Sequence, residues 1–259
     1  MRAKKSYGQH FLINEDLSEK IADSLQLTDS YGLVLEVGPG RGMLTRYLLQ
    51  KEFELYMVEA DRDMVLYLKK HFKFSDHQLI EADFLKIPLD VLFDNRPFGL
   101  IGNFPYNISS QILFKMLEYK QLIPEMVGMF QKEVAERIVS KPGNKTYGVI
   151  SVLIQAFYEG TFLFEVDKSN FSPPPKVQSG VIRLTRKKEQ ELGCNPVLFK
   201  KIVKQAFGQR RKMLRNTLKP FLKDNDQGQL PIFEKRPERL SVADFVTLTN
   251  WLDNSERKT

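Results

Sequence analysis

The chain has 259 residues, of which 42% are hydrophobic and 27% charged, and 39 Lys and Arg against 32 Asp and Glu leave a net charge of +7. That balance excludes a disordered chain, the single Cys194 excludes a disulfide framework and a cysteine-built zinc site, and three scattered histidines offer no metal site. No apolar run approaches the roughly 18–20 residues of a membrane helix, and the basic start MRAKKSYGQHFL has no apolar segment behind it, so a reduced, cytoplasmic protein with no membrane partner is expected.

In chain order, residues 33–37 (LVLEV) read as a buried strand ending at Gly38, with a helical pattern of Leu44, Tyr47 and Leu48 behind it. Residues 55–58 are a second strand, 61–70 a helix and 78–80 a third strand. Residues 98–102 read as strand, 108–119 as helix, 126–130 as strand and 131–139 as helix. This alternation predicts an α/β fold, a mostly parallel sheet with helices on both faces. The runs at 162–166 and 180–184 are separated by a Pro-rich segment, 171–176, and are expected as an antiparallel pair. Residues 186–194 are charged and polar and read as a linker. Helical patterns follow at 196–207, 209–221 and 242–252, the last capped by Ser241. The expected organisation is a catalytic domain over 1–188 and a small helical domain over 189–259.

The charge is concentrated. Residues 200–219 read KKIVKQAFGQRRKMLRNTLK, with Lys200, Lys201, Lys204, Arg210, Arg211, Lys212, Arg215 and Lys219 and no acid. Removing this tract turns the +7 into a slight negative balance. Apolar residues interleave, so one face can dock while the other neutralises phosphates. A nucleic-acid contact is expected here.

Three acids close three successive strands. Glu36-Val37-Gly38-Pro39-Gly40-Arg41-Gly42 follows the first strand, and closely spaced glycines let the backbone approach a ligand. Glu59 lies 21 residues beyond Gly38, at the end of the second strand, where a carboxylate accepts from a ribose diol. Asp83 closes the third strand and can accept from an adenine amine, with Phe84 packed on the ring. The glycine spacing and Pro39 do not suit a pyrophosphate. An ammonium, a ribose and an adenine without phosphate suit the set, which is the chemistry of S-adenosylmethionine.

Asn103-Phe104-Pro105-Tyr106 follows the fourth strand. An adenine amine is a poor nucleophile because its lone pair is delocalised into the ring. Two acceptors on its two N–H bonds, the Asn103 side-chain oxygen and the Phe104 carbonyl, can draw the nitrogen toward tetrahedral geometry. Pro105 stiffens the turn. Tyr106 can stack on a base that has left its helix.

With these motifs the chain resembles the ribosomal RNA adenine dimethyltransferases, and within them the small-subunit, kasugamycin-sensitivity type. The match runs nearly end to end. Gln9-His10-Phe11-Leu12 is similar to the family's N-terminal segment over the cofactor, with His10 where Asn is common. Phe104 stands where Leu is usual. Phe171-Ser172-Pro173-Pro174-Pro175-Lys176-Val177 is similar to the family's F-x-P-x-P-x-V segment, and residues 208–216 to its basic C-terminal stretch. The resemblance implies a class I, Rossmann-like methyltransferase fold with a helical C-terminal domain. It implies cofactor contacts from Gln9, His10, Leu12, Glu36, Gly38, Gly40, Glu59, Asp83, Phe84 and Asn103, and target-base contacts from Tyr106 and Phe171. It also implies transfer of two methyl groups to each of two adjacent adenosines near the 3′ end of small-subunit rRNA, within a pre-ribosomal small subunit, by a monomer. A large-subunit relative of the antibiotic-resistance type and a non-catalytic assembly factor are the alternatives. The stretch at 208–216 and the triple proline 173–175 favour the small-subunit type.

Overall fold

The computed structural model describes residues 9–222 and 230–256. The basic start, residues 1–8, lies outside them. The chain divides into two compact units, one of residues 1–135 and 160–186, the other of residues 136–159 and 187–259. The chain crosses between them three times, the last time after residue 186, against an expected boundary at 188. Residues 136–159, however, group with the later residues and not with the sheet. The reason is a helix that the sequence patterns did not announce, Val149–Gln155, which packs on the helix Pro196–Gly208.

The strands in chain order are β1 (Phe11–Leu12), β2 (Leu33–Val37), β3 (Glu54–Glu59), β4 (Leu79–Glu81), β5 (Gly99–Asn103), β6 (Glu125–Gln131), β7 (Tyr158–Val166), β8 (Phe171–Ser172) and β9 (Ser179–Arg186). Seven form one sheet in the order β4-β3-β2-β5-β6-β9-β7. From β4 to β6 every pairing is parallel, and β9 closes antiparallel on β6. Every residue of β2 is buried, as a central strand covered on both faces requires. Its two parallel neighbours, β3 and β5, lead away in opposite directions. The carboxyl ends of β2 and β5 therefore flank the crevice where open α/β sheets bind ligands. The helix Arg62–His71 behind β3 is capped by Asp61, whose side chain accepts the Asp63 N–H, and it ends in Lys69 and Lys70, matching the helix dipole at both ends.

β1 and β8 are two residues each, too short for any periodicity, and they pair antiparallel with Phe11 opposite Ser172 and Leu12 opposite Phe171. The pair extends through the Ile13 N–H donating to the Asn170 carbonyl at 2.9 Å and the Asn14 side chain donating to that of Asn170 at 2.9 Å.

The second unit is helical apart from the start of β7. The helix Pro196–Gly208 is capped by Asn195, which accepts the N–H groups of Val197 and Leu198, and buries Leu198, Phe199, Ile202, Val203 and Ala206. The helix Val242–Glu256 packs on it, and Ser241 caps that helix by accepting the Asp244 N–H at 3.1 Å. One expectation is corrected. Residues 209–221 are not one helix but a turn, a four-residue helix Leu214–Thr217 and a short 3-10 turn at Lys219–Phe221. The Leu214 N–H donates to the Lys235 carbonyl and Pro220 cannot donate, so the segment bends where a continuous helix would need its own ladder.

Candidate active site

One cavity of about 570 Å³ lies at the carboxyl ends of β2, β3, β4 and β5. It gathers Gln9, His10, Leu12, Glu36, Gly38, Gly40, Glu59, Asp83, Phe84 and the whole of residues 103–106 into one wall. The glycine turn supplies the close approach. Gly38, Gly40 and Gly42 all have positive φ (70°, 55° and 73°), and a side chain at Gly40 would begin 3.0 Å from the Phe11 ring.

The carboxylates differ in role. Glu36 is 2% exposed, and its carboxylate accepts from the Thr45 hydroxyl at 2.7 Å. Burial pushes its carboxyl up to about 8, against the Thr45 hydrogen bond and helped by the Glu59 charge. Glu59 accepts the Gly40 N–H on one oxygen and the Asp61 N–H on the other, both at 2.9 Å. Burial raises its pKa, while those N–H groups act to lower it. Each carboxylate oxygen retains a lone pair for a further donor. Asp83 accepts the Leu85 N–H at 3.0 Å and has Lys86 at 3.5 Å. Two buried acceptors, Glu36 and Glu59, and the half-exposed Asp83, beside a turn without phosphate-cradle spacing, fit the ammonium and hydroxyls expected of S-adenosylmethionine.

The turn after β5 is tied down from two sides. The Asn103 amide nitrogen donates to the His10 carbonyl at 3.0 Å, which assigns the side-chain oxygen as the group left to accept. Tyr106 shares a hydrogen bond of 2.5 Å with the hydroxyl of fully buried Ser179, and its ring lies 5.7 Å from that of His10, 28° from parallel. Burial raises the pKa of Tyr106. The His10 Nδ1 meets the Pro173 carbonyl at 2.9 Å. Beneath the turn, Phe104 is 1% exposed and settles over Gly102 and Gly128, which pair across β5 and β6. A Cβ on Gly128 would lie 2.3 Å from the Phe104 ring. The larger side chain at 104 therefore has a matching space in the sheet.

Phe171 was expected at the target base. Its ring is 2% exposed and packs in the hydrophobic cluster with Leu12 and Ile21, which themselves line the cavity, while Phe171 is not among the lining residues. Phe11 both packs, at 7% exposure, and lines the cavity. Four residues the sequence patterns did not single out also contribute. Arg41 and Lys86 line the wall, Asp61 accepts from Gln9 at 2.9 Å and Ser179 holds Tyr106. Arg41 stands inside the glycine motif and Asp61 two residues past Glu59, so position alone could have flagged them. Ser179 has no local signal, being 73 residues from its partner.

In the second unit, Lys200, Lys201, Lys204, Arg211, Lys212, Arg215 and Lys219 are exposed and Arg210 half-buried, while Ile202, Val203, Ala206, Leu214 and Leu218 are buried and Met213 stays exposed. Arg215 pairs with Glu234 at 2.6 Å. No group of three or more metal-ligating side chains occurs among the described residues, and none of their helices is long and apolar enough to cross a membrane.

A family model described as Ribosomal RNA adenine dimethylase matches residues 1–254. The Ribosomal RNA small subunit methyltransferase A of Phocaeicola vulgatus is 52% identical over 254 residues, covering 98% of this chain and 90% of its own. That of Flavobacterium johnsoniae is 50% identical over 253 residues, covering 98% and 97%. Among solved structures, a dimethyladenosine transferase from Plasmodium falciparum superposes with a TM-score of 0.74 at 25% identity, covering 95% of this chain and 98% of that one. The 23S rRNA methyltransferase ErmE, with a TM-score of 0.63 and 24% identity over 93% of this chain and 99% of its own, shares the fold.

Proposed function

The chain belongs to the ribosomal RNA adenine dimethylase family, and on that footing we propose how its geometry performs the family's reaction. The protein is an S-adenosylmethionine-dependent rRNA adenine N6,N6-dimethyltransferase that modifies two adjacent adenosines of small-subunit rRNA. In this reading the reacting groups are residues 103–106, at the end of β5.

Bound S-adenosylmethionine supplies an activated methyl group. Glu36 would hold its ammonium, Glu59 its ribose hydroxyls and Asp83 its adenine, with Phe84 against the ring and Gly38 and Gly40 giving backbone access. Gln9, His10 and Leu12 cover this assembly. Asn103 Oδ1 and the Phe104 carbonyl accept the two N–H bonds of the target amine and pull its lone pair out of the ring plane. Pro105 holds the turn and Tyr106 stacks on the base. No general base is needed before attack: the amine is neutral until its bond to the methyl carbon forms as the sulfur–methyl bond breaks, which would leave S-adenosylhomocysteine as the neutral thioether, and the resulting ammonium then releases its proton to solvent. The observation that carries this reading is the hydrogen bond from Asn103 to His10, which leaves the amide oxygen as acceptor.

The basic surface of the second unit contacts ribosomal RNA within a pre-ribosomal small subunit, the enzyme acts as a monomer in the cytoplasm, and the catalytic work belongs to the sheet-containing domain. The test is mass spectrometry of both rRNAs from cells lacking the protein. Dimethyladenosine disappears from the small-subunit rRNA and returns when the gene is restored. Loss confined to the large subunit would overturn the assignment.

A further inference from the structure

The cavity wall carries four carboxylates, Glu36, Glu59, Glu81 and Asp83, and two cationic side chains, Arg41 and Lys86. S-adenosylmethionine brings a sulfonium and an ammonium, which suit that acidic lining, and one carboxylate, which does not. Lys86 is 84% exposed and lies against Asp83 at 3.5 Å, at the end assigned to adenine. Arg41 is half-buried and stands within the glycine turn that begins at Glu36, the end assigned to the amino acid. Its guanidinium carbon sits 4.5 Å from the centroid of the Phe11 ring, and that ring in turn closes over Gly40. A guanidinium resting on an aromatic face is oriented before the ligand arrives, and its planar fork matches a carboxylate.

We infer that Arg41 is the specificity-determining partner of the cofactor's carboxylate, held in place by Phe11, so that the site selects an intact amino-acid tail over truncated adenosyl thioethers. The inference rests on the cofactor reading above. Every group it needs lies in the first unit.

Calorimetric titration with three ligands tests it: S-adenosylhomocysteine, its decarboxylated analogue and 5′-methylthioadenosine. The wild-type protein is expected to prefer S-adenosylhomocysteine over the decarboxylated analogue by about ten- to a hundredfold. In Arg41→Gln that ratio falls close to one, in Arg41→Lys it is intermediate because a point charge lacks the fork, and 5′-methylthioadenosine binds all three proteins alike. Because the ratio is taken within one protein, a general loosening of the cavity cancels. A ratio in Arg41→Gln equal to that of wild type overturns the assignment. So does a wild-type protein that binds both tailed ligands equally, while still binding 5′-methylthioadenosine. Failure of the wild type to bind any of the three brings down the cofactor reading itself and this assignment with it.

Discussion

The Asn103 amide nitrogen is bonded to the His10 carbonyl, 93 residues earlier in the chain. That bond occupies the amide nitrogen and leaves the oxygen as the end that can accept, which the proposed mechanism requires. Asn103→Asp keeps an acceptor but loses the donor, and places a negative charge opposite a carbonyl oxygen. Asn103→Ala loses both. Each variant should lower methyl transfer to immature small subunits by at least about 100-fold, the usual cost of removing a positioned polar group at a transition state. S-adenosylhomocysteine affinity, measured by calorimetry, should change only a few-fold. A fully active Asn103→Ala would contradict the mechanism.

The Tyr106 hydroxyl is committed to Ser179. Ser179→Ala leaves a part-buried hydroxyl without its partner, at a cost of about 1–3 kcal/mol. Adding Tyr106→Phe removes the orphan and should recover most of that loss in chemical denaturation. If the double variant is as unstable as Ser179→Ala alone, the hydrogen bond is not what holds the ring.

Gly128 and Phe104 can be tested as a pair. Gly128→Ala drives a methyl group into the Phe104 ring and should cost about 1–3 kcal/mol from overpacking, with a larger loss of activity because the turn at 103–106 lifts. Combining it with Phe104→Leu relieves the overlap with residue 104 but not the one with Phe130 at 2.7 Å. The expected outcome is partial recovery of both stability and rate, read by denaturation and by single-turnover methylation. Additive losses would rule out the overlap as the cause.

Burial raises the Glu36 carboxyl from 4.5 to about 8. The folded protein therefore holds a proton that the unfolded chain has released once the pH passes 4.5. The associated stability is complete below that value and is lost as the pH rises to about 8. Glu36→Gln carries no such proton. Its stability should gain on wild type steadily from pH 5 to pH 8 and then run parallel. Saturating S-adenosylhomocysteine, whose ammonium favours the ionised form, should flatten the wild-type slope. Parallel curves throughout would exclude Glu36 as the titrating group.

On the second unit, Lys201→Glu and Lys204→Glu reverse two exposed charges on the helix Pro196–Gly208. RNA affinity should fall at low salt, and the slope of log affinity against log salt should shrink by roughly 0.7–0.9 for each phosphate that is no longer neutralised. Binding of S-adenosylhomocysteine should not move. An unchanged salt slope would exclude this face from RNA binding.

The strands of the central sheet were legible because their apolar runs sit between glycine, proline and helical patterns. The three strand-end acids and the turn at 103–106 were legible because each follows such a run directly. What was hidden is long-range or too short. A two-residue strand such as β1 has no period, and its partner lies about 160 residues away. Phe171 carries the same motif letters whatever it packs on, and its place beside Leu12 comes from the β1 pairing. The helix Val149–Gln155 is apolar on most sides, so it offers no clean face to read. The glycines under Phe104 look like ordinary strand residues until their register brings them side by side.

The pairing of β1 with β8 also sets an order of events in biosynthesis. His10, Phe11, Leu12 and Ile13 are made early, and their partners at Asn170, Phe171, Ser172 and Pro173 some 160 residues later. A nascent chain that has completed β2 to β6 owns the glycine turn and the Asn103 turn but not the strand that anchors the segment above them. The roof of the site is thus among the last parts that translation can install, after the floor has been laid.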